Sequence, residues 1–441
     1  MRIDKPFARY QLNNSELVRL AATPRERQKA TLDRFLKEDE RQPYTPDQLK
    51  QAFQHFGLDA RLQQLEGKQD QSWSPWECGL YRRLSLPDHD PSPSPKLQGN
   101  ECAELAQTAL GLFERLDQDH NGRLCATELD EALHQADVQG ADAAAVIVMR
   151  CFQKEIGNRQ GITRKDLEKL KTDGPNRMAN TFRVRKNQAG SLSPRKPIME
   201  ESFDPKEIRQ GSNGTCVSLS TLIGTDADHV RSMFQDNGDG SVTVRLKDGS
   251  EHRVEDVSLA ERLYHARGKD DERWPALLEL ALGERLGDLA GLRGLPDRTP
   301  RSYVATGQMF SDAYSLMLGQ KRHKVNFDHQ SPNQIREKLS QAVRRGGPLV
   351  TASRWETGLF GRSLTPLKNG VVGMHAYAIL GYDEKRDTVT LRNPWHKGEW
   401  VGAQDGQDDG TFDMPFLQFY ASYGTLVSPA GPTGLLRTAA D

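Results

Sequence analysis

Three short peptides of this chain carry residue types suited to acyl transfer. The first, QGSNGTC from Gln210 to Cys216, ends on a cysteine; GMHAYAILGY and LRNPW place His375 and Asn393 downstream. A free thiol has a pKa near roughly 8.5, and only its thiolate attacks a carbonyl efficiently. A nucleophilic cysteine therefore needs a neighbour that takes its proton or stabilises its charge. His375 is the candidate base, and Asn393 is a neutral amide able to fix the orientation of the imidazole. Gln210 supplies a side-chain amide that would share an oxyanion hole with the Cys216 backbone N–H.

Three elements must hold these groups. CVSLSTLI, Cys216 to Ile223, reads as a helix entered from a glycine-containing loop, so the positive end of its dipole would sit beside the sulfur. An imidazolium at His375 would complete a thiolate–imidazolium pair. GMHAYAILGY is small and apolar enough for a buried strand, and TVTLRN alternates up to Asn393, where Pro394 ends it.

Together these peptides resemble those of the calpain family of papain-like cysteine peptidases. QGSNGTC is similar to the family's Gln-Gly-x-x-Gly-x-Cys segment, GMHAYAILGY to its His-Ala-Tyr strand, and LRNPWHKGEW to its Asn-Pro-Trp peptide. WPALLELAL (Trp274 to Leu282), VTVRLKDG and DDGTFDMPFLQFY resemble further parts of the protease domain, so the likeness runs roughly from Ser202 to Ser428. The separation of Cys216 from His375 is close to the roughly 130–150 residues usual in papain-like enzymes. The resemblance implies a two-lobed α+β core that hydrolyses peptide bonds in protein substrates, with Trp395 shielding the catalytic hydrogen bonds. It also implies calcium control. Three positions depart from the family pattern: Thr215 stands for Asp, Val217 for Trp, and His396 for Gly.

A second chemical signal lies upstream. DQDHNGRLCATE fits a twelve-residue calcium loop with Asp117, Asp119 and Asn121 at positions 1, 3 and 5, and Gly122 at the turn. Arg123 would coordinate through its backbone carbonyl, Cys125 would leave its place to water, and Glu128 would bind through both oxygens. With LAQTALGLFERL before it and LDEALHQAD after it, the segment resembles an EF-hand, and Ca2+ is the expected cofactor. Such loops pair, and Ile162 in the following stretch would face Leu124; Gly157, Arg159 and Gln160 suit no ligand there. YTPDQLKQAF and WSPWECGLYRRL are either two more degenerate hands or simply capped helices. DNGDGS, Asp236 to Ser241, reads as a hairpin turn instead of an ion site.

The expected organisation is an N-terminal helical region (1–90), an EF-hand pair with one intact loop (101–175), a basic linker (176–200), the protease core (201–430) and a tail (431–441). Arg177, Arg183, Arg185, Lys186, Arg195 and Lys196 make the linker basic; the alternatives are a solvated connector or a site of proteolytic processing. LPDHDPSPSPKLQGN reads as an extended connector. A formal net charge of −1 gives no field favouring nucleic acid. The five cysteines (Cys78, Cys102, Cys125, Cys151, Cys216) lack metal-ligand spacing, which suits a reducing compartment. No secretory leader or membrane span is legible, so the cytoplasm is the default, and an exported effector without a cleaved signal would look identical. The chain thus reads as a calcium-dependent cysteine endopeptidase; a catalytically impaired scaffold and a transglutaminase-type acyltransferase are the competing readings. Oligomeric state is not legible.

Overall fold

The computed structural model describes residues 100–192, 197–290, 310–328, 330–354, 357–358, 361–362, 369–403 and 406–430. The expected N-terminal helical region, the Pro/Ser-rich connector and the tail lie outside the described residues.

The described residues begin with two helix–loop–helix units: α1 (Asn100–Leu116) and α2 (Ala126–His134), then α3 (Gly140–Ile156) and α4 (Arg164–Asp173). Their loops meet as anticipated. Leu124 and Ile162 exchange backbone hydrogen bonds of 2.9 and 3.0 Å, and both side chains are buried. Thr163 starts α4 through a reciprocal capping box with Asp166.

The next segment corrects an expectation. Asn176–Ser191 is a helix, α5, and not a connector. Pro175 presets its entry, and Met178 and Phe182, one helical turn apart, bury themselves against α1 and α3 in the core of the four preceding helices, with Ala179 buried between them in sequence. On its outer side Arg177 pairs with Glu155 and Lys186 with Glu104, whereas Arg185 turns toward the following lobe.

A first lobe follows, comprising α6 (Cys216–Ile223), α7 (Ala227–Arg231), the meander β1 (Phe234–Asp236), β2 (Ser241–Arg245) and β3 (Glu251–Glu255), then α8 (Leu259–Tyr264) and α9 (Trp274–Leu289). Asp236–Ser241 forms the β1–β2 turn with Gly238 and Gly240 at positive φ, as its composition dictates. Helix α9 is apolar on nearly every side and is buried accordingly; Trp274 meets Phe203 and Phe234 edge-on at 5.7 and 6.1 Å. Each such fully buried large side chain contributes roughly 1.5–3 kcal/mol.

The second lobe contains α10 (Phe310–Leu318), β4 (Arg322–Asn326), α11 (Pro332–Arg345), β5 (Leu349–Ser353), the two-residue strands β6 (Thr357–Gly358) and β7 (Gly361–Arg362), β8 (Ala376–Asp383), β9 (Thr388–Arg392), β10 (Thr411–Pro415), α12 (Phe416–Ser422) and β11 (Tyr423–Pro429). Six strands make one antiparallel sheet in the order β10-β9-β8-β5-β11-β4. Its core is aromatic, with Phe327, Phe416, Phe419, Tyr420 and Tyr423 stacked, tilted or edge-on to one another.

Between the lobes lies a small apolar seam of Val217, Ala313, Tyr314, Val350, Ala376 and Val427. Val217 is buried there beside Tyr314, whose single hydroxyl proton lies between two carbonyl acceptors, Pro348 O at 2.8 Å and Val427 O at 3.1 Å. The helical region is docked on the first lobe: Ala260, Leu263 and Tyr264 of α8 belong to its core, and His134 Nδ1 lies 3.2 Å from Glu261. Among the described residues no helix is long and apolar enough to cross a membrane.

Candidate active site

Cys216 is the first residue of α6. Thr215 precedes it; the threonine hydroxyl makes no cap to the helix and donates to Glu279 Oε1 at 2.5 Å. The first N–H groups of α6 are therefore left for other acceptors, and those of Cys216 and Val217 turn toward the sulfur together with that of Ala376. The Ala376 contact puts Cys216 beside the start of β8, one residue from His375.

His375 is 3 % exposed. Its backbone is locked by Ser353, whose hydroxyl accepts from His375 N–H at 2.9 Å and whose N–H donates to His375 O at 2.9 Å. The imidazole Nε2 lies 2.9 Å from Asn393 Oδ1. Asn393 is fully buried at the end of β9; its Nδ2 donates to Gly398 O at 3.0 Å, and its Oδ1 also accepts from Trp395 N–H at 3.0 Å. That arrangement leaves Oδ1 as the acceptor facing the ring, so Nε2 carries the proton and Nδ1 is the free base. Trp395 lies on the imidazole with centroids 4.7 Å apart and Tyr377 meets it edge-on at 5.1 Å. This aromatic cover keeps water from the hydrogen bond.

Burial weighs on both charges of the expected ion pair. Burial pushes the Cys216 thiol up, against the pull of the three N–H groups, and burial drives His375 down to about 4 in spite of the Asn393 bond. A dry site disfavours both charges.

Gln210 reaches the site from the loop before α6. Its backbone N–H donates to Pro394 O at 2.8 Å, which ties the first lobe to the Asn393 peptide, and its Nε2 donates to Asn213 O at 2.6 Å. An amide nitrogen has two protons, and one remains for a ligand. A second tie runs through Arg392, whose Nε and Nη2 donate to Lys206 O at 3.1 and 2.8 Å while Nη1 donates to Asp409 O at 2.7 Å. The guanidinium also donates to His396 Nδ1. His396 has φ 59°, which explains why this position suits glycine.

Sequence reasoning gave no role to the residues beneath this loop. Gly211 leaves no room for a side chain, because a Cβ would lie 2.2 Å from Tyr264 O and 2.3 Å from His265 O. Ser212 N–H donates to Tyr264 O at 2.6 Å, and Arg185 of α5 reaches Ser212 Oγ at 3.0 Å. Below them Glu279 gathers Asn213, Thr215, His265 and Ala266. The signal that could have found it is one carboxylate in the otherwise apolar WPALLELAL.

The pattern of calpain family cysteine proteases matches residues 181–410, more than half of the chain. The chain belongs to the calpain family. Among curated proteins none matches the chain in sequence. The calpain-family core carries cysteine-type peptidase activity and acts on protein substrates. Its matched region begins inside α5 and contains every residue of the geometry above.

The upstream loop is arranged separately. Single carboxylate oxygens of Asp117, Asp119 and Glu128 lie within 4.8 Å of one another. Asp117 accepts from Asn121 N–H at 3.1 Å and Gly122 N–H at 2.9 Å, and Glu128 from Gln118 N–H at 2.9 Å and Cys125 N–H at 2.8 Å. Asn121 Nδ2 donates to Asp119 Oδ2 at 2.7 Å, and Gly122 sits at φ 77°.

Proposed function

We propose that this calpain-family protein is a calcium-dependent endopeptidase in which Cys216 attacks the scissile carbonyl and His375 takes the thiol proton at Nδ1. His375 then delivers that proton to the leaving amine, and water, activated by the same nitrogen, hydrolyses the thioester. Asn393 holds the imidazole, and Trp395 covers their hydrogen bond. The carbonyl oxygen is received by the Cys216 N–H and the second Nε2 proton of Gln210. The observation that carries this reading is the 2.9 Å His375 Nε2 to Asn393 Oδ1 contact, oriented from both sides, beside a cysteine at a helix start.

Calcium fits the upstream loop because the donors are hard oxygens: three carboxylates at the first, third and twelfth positions, with the Asn121 amide and the Arg123 carbonyl as the remaining protein ligands. The bound ion would neutralise the clustered carboxylates and join the end of α1 to the start of α2. The other end of α2 bears on α8, where Ser258 Oγ donates to Leu133 O and His134 meets Glu261. Helix α8 in turn supports Ser212, so the calcium loop and the nucleophile loop share one neighbour.

Digestion of casein by wild type and Cys216→Ala, each with calcium and with chelator, tests the reading. Cleavage is expected only from wild type, and more with calcium. Amine incorporation into peptide in preference to cleavage would overturn the peptidase assignment in favour of acyl transfer; no turnover by either protein would favour a scaffold.

A further inference from the structure

Glu279 lies midway along α9 with 1 % exposure, surrounded by leucine and alanine. An ionised carboxylate survives such burial only when its oxygens are fully bonded. All its partners come from two loops. Oε1 accepts from Thr215 Oγ1 at 2.5 Å; Oε2 accepts from His265 Nδ1 at 2.8 Å, Asn213 Nδ2 at 2.9 Å and Ala266 N–H at 3.1 Å. Burial alone would raise this carboxyl, and the bonds from His265, Thr215 and Asn213 outweigh it and keep it below the usual range.

The two oxyanion donors depend on the residues that Glu279 holds. Asn213, fixed through its side chain, offers the backbone carbonyl that anchors Gln210 Nε2 at 2.6 Å. Thr215, fixed through its hydroxyl, carries the peptide whose nitrogen is the Cys216 N–H. The geometry points to Glu279, with His265, as the positioning residue of the oxyanion hole: one buried carboxylate sets the direction of both donors from beneath, without touching the sulfur. This inference rests on the peptidase reading, and it concerns the acyl oxygen, not the thiolate.

That distinction supplies the test. Hydrolysis of a peptide amide passes through an oxyanion, whereas iodoacetamide is attacked at its saturated carbon and expels iodide with no oxyanion formed. For Glu279→Gln we expect kcat on a peptide amide to fall about 10- to 100-fold, an order of magnitude less than the roughly 100- to 1,000-fold loss when an oxyanion donor is removed outright. KM should stay within about 2-fold and the rate of Cys216 alkylation by iodoacetamide within about 3-fold. Thr215→Val removes one donor to the carboxylate at nearly constant volume; it should show the same selective loss, smaller in size, and it decides the matter if Glu279→Gln does not fold. Parallel loss of hydrolysis and alkylation would make Glu279 merely structural, and unchanged kcat would remove its role. A wild-type chain that cleaves no peptide would overturn the peptidase reading itself, while an active wild type with a fully active Glu279→Gln overturns only this inference.

Discussion

The two loops with candidate chemistry are held in opposite ways. The nucleophile loop, residues 209–216, is bonded from outside: Arg209 pairs with Arg267, Gln210 with Pro394, Ser212 with Tyr264 and Arg185, and Asn213 and Thr215 with Glu279. The loop from Asp117 to Glu128 is bonded mostly to itself, its carboxylates accepting from N–H groups of its own residues, with the Leu124–Ile162 bridge as its outside tie. Preorganised donors cost no reorganisation at the moment of reaction. A self-bonded acidic loop instead has its charges gathered and leaves their neutralisation to a ligand. In the proposed function the first loop carries the chemistry and the second the response to calcium.

Glycine substitution breaks the comparison most sharply. Gly211→Ala drives a Cβ into two carbonyl oxygens of the supporting segment, so the loop must shift. We expect at least a 100-fold loss of peptide cleavage and destabilisation of about 3 kcal/mol, near the upper end of overpacking effects, read by assay and urea unfolding. Gly122→Ala meets no atom within 4 Å and has only its φ of 77° against it. Its cost should be about 1 kcal/mol, with calcium-free cleavage unchanged. Equal effects of the two would erase the distinction.

The dryness of the site gives a pH signature. His375 is driven down to about 4 when folded, whereas it titrates near roughly 6.5 when unfolded. The unfolded chain therefore binds the extra proton between these values. Stability from this group is complete above about 6.5 and is lost as pH falls through about 4, a change on the order of 3 kcal/mol. Urea unfolding of wild type and His375→Gln at pH 7.5 and pH 4 should show the steeper acid loss in wild type. Parallel losses would place the imidazole in contact with water.

The acidic loop should respond most gently. Glu128→Gln removes a carboxylate charge and one strong acceptor, and is expected to weaken calcium binding about 10-fold by calorimetry. Cleavage in chelator should stay unchanged. Undiminished calcium affinity would detach the ion from this loop.

Much of this was legible in the sequence, for local reasons. A glycine loop followed by an apolar run announced the helix at Cys216, and alternation up to Pro394 announced the strand before Asn393. The pairing of Leu124 with Ile162 followed from their equivalent places in two loops. What escaped notice depends on tertiary neighbours. Residues 176–191 looked like a basic connector because arginines dominate; Met178 and Phe182, one turn apart, were the trace of a buried face. Depth of burial, which no local pattern encodes, works against both charges of the expected thiolate–imidazolium pair. Glu279 was visible as an odd residue, but its four partners come from segments far apart in the chain.

The central claim is that Cys216 is a nucleophile served by His375. Intact-mass and peptide mapping after incubation with a peptidyl chloromethyl ketone tests it most directly, using wild type, His375→Ala and Cys216→Ala. The structure predicts a single adduct on Cys216 in wild type, formed at least about 100-fold more slowly in His375→Ala and absent in Cys216→Ala. Labelling of Cys216 at the same rate without His375, or no labelling of Cys216 in wild type with calcium present, would contradict it.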